Sequence, residues 1–319
     1  MNIDGSFSEN NVIAENHSIL SGRESRIYEM RICELATFAD EAMRTVSEML
    51  DSGYGVYEAL FVVSDGLDIN QNSKPHTDHL PENSSRLLTH IRTVDAYDKI
   101  VFSDLLYEAL AKNGKMLCER DFLPEKKGNG VISYVKNPLS DEAYDVFSQG
   151  IPDARLKYAQ SLSEAVKRVS GGESEYALLP LEERGGTRLA SVMELLFKED
   201  LRIASVTPVF GFEGDADMKY AIVSKNYSLP TVEAGDDRYL EIRMRADASI
   251  PLSELFLATD ALHIDIYRIN TISHETDEGQ VPYYSIVFRD EGGDYSRLLL
   301  YLTVFAGAYT TIGLYKNLE

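Results

Sequence analysis

Between Leu240 and Leu318 the hydrophobic period switches back and forth between two and 3.6 residues, and this constrains the fold more than any other feature of the chain. Leu240-Glu241-Ile242-Arg243-Met244-Arg245 alternates as a half-buried strand does. Leu252 to Leu262 has helical spacing, Ile264 to Ile272 and Tyr284 to Phe288 alternate again, Ser296 to Ala306 is apolar and helical, and Thr311 to Leu318 closes as a strand. The order is β-α-β-β-α-β, which predicts a ferredoxin-like domain over 237–319 with two helices on one face of its sheet. A second run lies upstream. Val131–Val135, Arg155–Ala159 and Tyr176–Pro180 read as strands, separated by helices over Asp141–Ser148 and Leu162–Val169. A helix from Ser191 to Lys198 and a return strand from Lys219 to Lys225 complete it. This β-α-β-α-β order predicts an α/β lobe over 130–227 with a parallel sheet and right-handed crossovers. Ligands bind such sheets beyond the carboxyl ends of the strands. Those ends are Lys136-Asn137-Pro138-Leu139-Ser140 and the loop from Leu181 to Thr187.

The fold class expected is therefore α/β and α+β multidomain. Residues 1–22 form a polar leader, and residues 23–127 an N-terminal α+β region of unnamed type. Two linkers separate the units, the charged, Gly-rich Glu125 to Gly130 and the acidic Pro230 to Asp237. In the N-terminal region, Ile27, Met30, Leu35, Phe38, Ala42, Val46 and Met49 keep near-helical spacing up to Gly53-Tyr54-Gly55. Val56 to Val63 is expected as a strand, 68–85 as an exposed loop, and Ile100 to Ala111 as a helix ending at Asn113-Gly114.

Composition removes several classes of partner. With 31 basic against 52 acidic residues the chain carries a net charge of −21. Nucleic acids and anionic membranes need clustered Lys and Arg, so neither is expected. No run reaches the roughly 18–20 apolar residues of a membrane helix, and the polar start is no signal peptide, so a cytoplasmic location is expected. Cys33 and Cys118 make no disulfide framework. His76 and His79 form one His-x-x-His pair without a third ligand, so no metal is expected, nor any cofactor.

The stretch Ala177-Leu178-Leu179-Pro180-Leu181-Glu182-Glu183-Arg184-Gly185-Gly186-Thr187-Arg188-Leu189 reads as a buried strand, a polar Gly-bearing turn and a helix entry. It resembles the substrate loop of prephenate dehydratases, which carry Pro-Ile-Glu-Asn-Ser followed by Gly and Val. Over roughly 130–319 the order of features resembles a prephenate dehydratase followed by its ACT regulatory domain. The resemblance implies a periplasmic-binding-protein-like lobe, a lyase activity in phenylalanine biosynthesis, and a homo-oligomer, a dimer, formed through the ACT-like domain. The motifs depart from the family's. Its Gly-Pro-x-Gly-Thr-Phe-Ser corresponds to Lys136-Asn137-Pro138-Leu139-Ser140, where Ser140 alone survives. Its Thr-Arg-Phe corresponds to Met218-Lys219-Tyr220, and methionine has no proton to donate. Lysine keeps the charge of the arginine but not its bidentate fork. Ile250-Pro251-Leu252 and Asn270-Thr271-Ile272-Ser273 stand where the family carries Gly-Ala-Leu and Glu-Ser-Arg-Pro around its phenylalanine site. The family's second lobe has no room between Glu182 and Lys219, unless residues 23–127 supply its surface.

Candidate site residues follow from this correspondence. Ser140, Arg184, Gly185, Gly186, Thr187, Arg188 and Lys219 would bind a small carboxylate ligand, with Arg184, Arg188 and Lys219 as its positive pocket. Ser140 equally fits a helix N-cap before Asp141-Glu142, and Lys219 a lysine at a strand end. Glu182 or Glu183, made neutral by burial, would be the replacement acid of a working enzyme. Three functions are therefore open: a catalytically degenerate relative that binds a ligand or regulates, an active prephenate dehydratase using replacement acids, and a non-enzymatic assembly protein.

Overall fold

The computed structural model describes residues 22–65, 95–126, 130–183, 186–210, 216–231, 237–276, 279–291, 294–307 and 309–318. The leader, His76 and His79 with their loop, and Arg184 and Gly185 lie outside the described residues.

The described N-terminal region is helical: α1 (Gly22–Asp51), α2 (Val56–Asp65), α3 (Ala96–Lys112) and the short α4 (Glu119–Phe122). The expected strand at Val56–Val63 is instead helix α2, so the region is not α+β there. Its Val and aromatic content favours a strand, but packing decides otherwise. Ala59 and Leu60 are fully buried, and α2 lies on α1. The break at Gly53 is real, with φ +89°.

The first sheet contains β1 (Val131–Val135), β2 (Arg155–Ala159), β3 (Tyr176–Glu183), β4 (Arg202–Phe210) and β5 (Ala216–Ser224) in the order β2-β1-β3-β5-β4. Helices α5 (Pro138–Gly150) and α6 (Leu162–Ser170) are the crossovers, and α7 (Ala190–Lys198) follows β3. β2, β1 and β3 are parallel, as expected. The sheet is nevertheless mixed, because β5 runs antiparallel to both β3 and β4. The connection from β4 to β5 is too short for a crossover helix, and neighbours joined so directly pair antiparallel.

The second sheet contains β6 (Asp237–Arg245), β7 (Asp265–Thr276), β8 (Gly279–Glu291) and β9 (Tyr309–Tyr315), all antiparallel, in the order β7-β8-β6-β9. Helix α8 (Leu252–Ala261) links β6 to β7. Helix α9 (Ser296–Tyr301) runs on as a π-helical turn over Leu302–Ala306 before β9. Both pack on the face carrying Leu240, Ile242, Ile286 and Phe288. From Leu298 to Ala306 every residue of α9 and its extension is buried. A helix apolar all round needs cover on its outer side as well. The N-terminal helices supply it: Leu35, Val46, Phe102 and Leu106 join the same core. Lys99 to Glu254 and Arg238 to Glu119, each 2.8 Å, and Arg297 to Asp104 tie the two layers together.

The other face of the second sheet is covered by the first lobe. Leu179 and Leu181 of β3, Val192 and Leu196 of α7, and Val206 of β4 share one core with Tyr239, Val287, Ile312 and Tyr315. The β4–β9 approach is close. The Leu318 amide donates to the Val206 carbonyl at 2.7 Å, and a Cβ on Gly313 would collide with the backbone of Ile203.

Candidate functional site

Strand β3 delivers Glu182 to the junction between the halves. Its pairing with β5 slips between Pro180 and Glu182, at a proline that has no N–H to give the ladder. A bulge re-aims the side chains after it. Leu181 and Glu182 are consequently both buried, although they are consecutive. The chain then doubles back. The Gly186 amide donates to the Glu183 carbonyl at 3.0 Å, and the Leu189 amide to the Leu181 carbonyl at 3.1 Å. This sets Glu182 opposite Arg188. Gly186 adopts φ +87°, and a Cβ there would lie 3.2 Å from the Arg268 guanidinium.

Around Glu182 lie three cations. Arg268 of β7 donates to its carboxylate. Lys219 Nζ is 3.5 Å away, and Arg188 Nε 3.8 Å. The far end of Arg188 reaches the second sheet, where Nη2 donates to Glu241 Oε2 at 2.8 Å and to the Tyr315 hydroxyl at 2.9 Å. Tyr315 also donates to Glu241 Oε2 at 2.8 Å, and Ser285 to Glu241 Oε1 at 2.9 Å. Glu241 is wholly buried, and the Arg188 side chain is 7% exposed.

The electrostatics follow from this packing. Burial pushes the Glu182 carboxyl up, but the Arg268 hydrogen bond and the charges of Lys219, Arg188 and Arg268 outweigh it, so its pKa falls below the ordinary value. This is the reverse of the neutral acid expected from burial alone. Burial also works against the Arg188 charge, and Glu241, Tyr315 and Glu182 more than compensate, leaving the guanidinium above its usual range. Burial drives the Tyr315 phenol well above its own. The cavity bounded by Glu182, Arg188, Lys219, Tyr239 and Tyr315 measures only about 10 Å³, room for a single water at most.

The expected site residues are thus brought together only in part. Arg188 and Lys219 do surround a carboxylate, but it is the chain's own Glu182. Glu183 and Thr187 are exposed. Ser140 is buried and is not the N-cap. The N-cap of α5 is Asn137, with Pro138 in the first turn, and Ser140 completes a capping box from the third helical position. Its hydroxyl donates to the Val135 carbonyl at 2.8 Å and accepts from the Asn137 amide at 2.9 Å. Met218 is half-buried, and the Tyr220 hydroxyl approaches Asn137 Oδ1 at 3.5 Å. The described N-terminal helices lie away from this site, because they cover α8 and α9. Arg268, Glu241, Tyr315 and Ser285 are the members that sequence reasoning missed. The sequence offered no clear signal for them, because Glu241 falls on the charged face of an alternating strand.

No protein-family model matches the chain, and no curated protein sequence does. Among solved structures it is similar to a prephenate dehydratase from Streptococcus mutans, with 15% identity and a TM-score of 0.47 over 60% of this chain and 100% of that one. It is also similar to a prephenate dehydratase from Arthrobacter aurescens in complex with L-Phe, with 12% identity and a TM-score of 0.45 over 58% of this chain and 90% of that one. A third similar structure is GqqA, described as a novel type of quorum quenching acylase, with 19% identity and a TM-score of 0.44 over 59% and 96% of the two chains.

Proposed function

We propose that the chain is a catalytically degenerate relative of prephenate dehydratases, acting in the cytoplasm by binding a ligand or by regulation rather than by turnover. One observation carries the degenerate part: the region corresponding to the substrate loop is filled by its own counter-ion, with Glu182 held by Arg268, Lys219 and Arg188. A substrate carboxylate would have to displace an internal one already paired at close range. The order of elements supports the kinship, including the βαββαβ segment, which we assign as ACT-like. The replacement-acid reading loses its best candidate, because a carboxyl that stays ionised cannot protonate a leaving hydroxyl. Assembly through the ACT-like unit remains compatible with ligand binding: β7 is an edge strand, with Tyr267 exposed along it.

The test is phenylpyruvate formation from prephenate at neutral pH, compared with buffer. The expected result is no rate above background, or one far below roughly 1 s⁻¹, the lower end for working enzymes. A rate at or above that level, lost in Glu182→Gln or Glu183→Gln, would establish the replacement-acid enzyme instead.

A further inference from the structure

A larger cavity, about 350 Å³, lies between α7 and the face of the second sheet that α8 and α9 leave free. Met193 and Leu196 of α7 and Ile272 and Ile312 of the sheet give it apolar walls. Phe197 stands at its centre of contacts, with the His274 ring 3.6 Å from it and the Tyr283 ring 5.3 Å away, edge on. Arg243 also rests against the Phe197 ring, its guanidinium carbon 3.7 Å from the ring centroid.

Arg243 differs from the other well-covered arginines. Arg188 holds Glu241, Arg202 holds Asp200, Arg238 holds Glu119 and Arg268 holds Glu182. Among the described residues Arg243 has two ring partners, Phe197 and, at 5.9 Å, Tyr283, but no hydrogen bond and no ion pair. Glu194, which also lines the cavity, is exposed at its mouth. A half-buried cation with no counter-ion in contact is costly, and burial, with Arg202 nearby, outweighs the opposing influence of Tyr283 and Asp200 and pulls the Arg243 pKa down to about 10. In a chain with 52 acidic residues, a carboxylate could readily have been placed opposite it. A flat guanidinium with its fork free, beside apolar walls and an aromatic ring, is what recognition of an organic carboxylate requires.

We infer that this cavity binds a small carboxylate with an apolar, ring-sized body, its carboxylate on Arg243 and its body between α7 and Ile272 and Ile312. The volume sits at the lower end of the roughly 300–1,000 Å³ range of ligand pockets, which suits a small acid. The apolar walls disfavour inorganic phosphate, which has no body to bury. This inference deepens the ligand-binding part of the proposed function by giving it a site. It is separable from the lack of turnover, which concerns Glu182, so the phenylpyruvate assay and the test below can fail independently.

The test is calorimetry of the full chain with phenylacetate, its uncharged isostere phenylacetamide, and inorganic phosphate, together with thermal melts. Saturable heat is expected with phenylacetate, and binding at least tenfold weaker with the amide and with phosphate. Arg243→Met removes the charge and keeps the length. Ser191→Trp plugs the mouth from an exposed position. Both should weaken phenylacetate at least tenfold. Unliganded Arg243→Met should melt within about a degree of the wild type, because the lost charge made no ion pair among the described residues and methionine keeps the packing on Phe197. Absence of saturable heat, equal affinity for the amide or phosphate, or undiminished binding in either variant would overturn the inference. So would a marked fall in the melting temperature of Arg243→Met, which would make the guanidinium a structural prop for Phe197.

Discussion

Removing the charge of Glu182 would leave Arg188, Lys219 and Arg268 gathered around a site with no carboxylate of its own. Breaking a buried ion pair from one side costs about 3–5 kcal/mol. Urea unfolding of Glu182→Gln is therefore expected to show a loss of about that size. Glu183→Gln, at an exposed position, should stay within about 0.5 kcal/mol of the wild type. The pH dependence has a definite sign. The folded pKa of Glu182 lies below its ordinary value of 4.5, so its contribution is complete above that pH and is lost as pH falls through the lower folded value. The stability gap between wild type and Glu182→Gln should accordingly be constant near neutrality and close below about pH 4.5. A gap that widened on acidification would show that Glu182 is held neutral in the fold.

Two elements show how far local sequence carried. The period switches from Leu240 onward located every strand and helix of the second sheet, because a half-buried strand and a packed helix impress their periods directly on the chain. The same signal failed at Val56–Val63, where a short run rich in β-branched and aromatic residues folds as α2. There a docking surface outweighs propensity, and one-dimensional spacing carries no record of such surfaces. In β6 the alternation was legible but the environment was not. Glu241 and Arg243 look like a solvent face, yet the first lobe covers it, and their partners or neighbours Arg188 and Phe197 come from a different unit. The cover over α9 left a trace in the unbroken apolar run from Leu298 to Leu302. The β4–β9 contact left one too, in Gly313, where a side chain has no space. Gly313→Ala should cost about 1–3 kcal/mol, as overpacking of a closed interface does, measured by the urea midpoint at unchanged slope. A neutral substitution would mean that the two sheets are less closely joined than described.

Among the described residues, the two sheets and the N-terminal helices are arranged so that both faces of the second sheet find partners. The second sheet is central, with α8, α9 and the N-terminal helices on one side and the first lobe on the other. Glu182 sits in the seam on that second side, bonded to Arg268 of β7 and, through Arg188, linked to Glu241 of β6. The charges that resemble a substrate clamp are therefore used to join two parts of one chain, and the larger cavity lies beside Arg243. The central claim is that Glu182 is an ionised internal counter-ion and not a proton donor. The most direct measurement is a ¹³C NMR titration of the glutamate side-chain carboxyls, with the Glu182 signal assigned by its loss in Glu182→Gln. The account predicts a midpoint below the ordinary value of 4.5. A midpoint raised to about 6 or higher, as a general acid working at neutral pH requires, would contradict it.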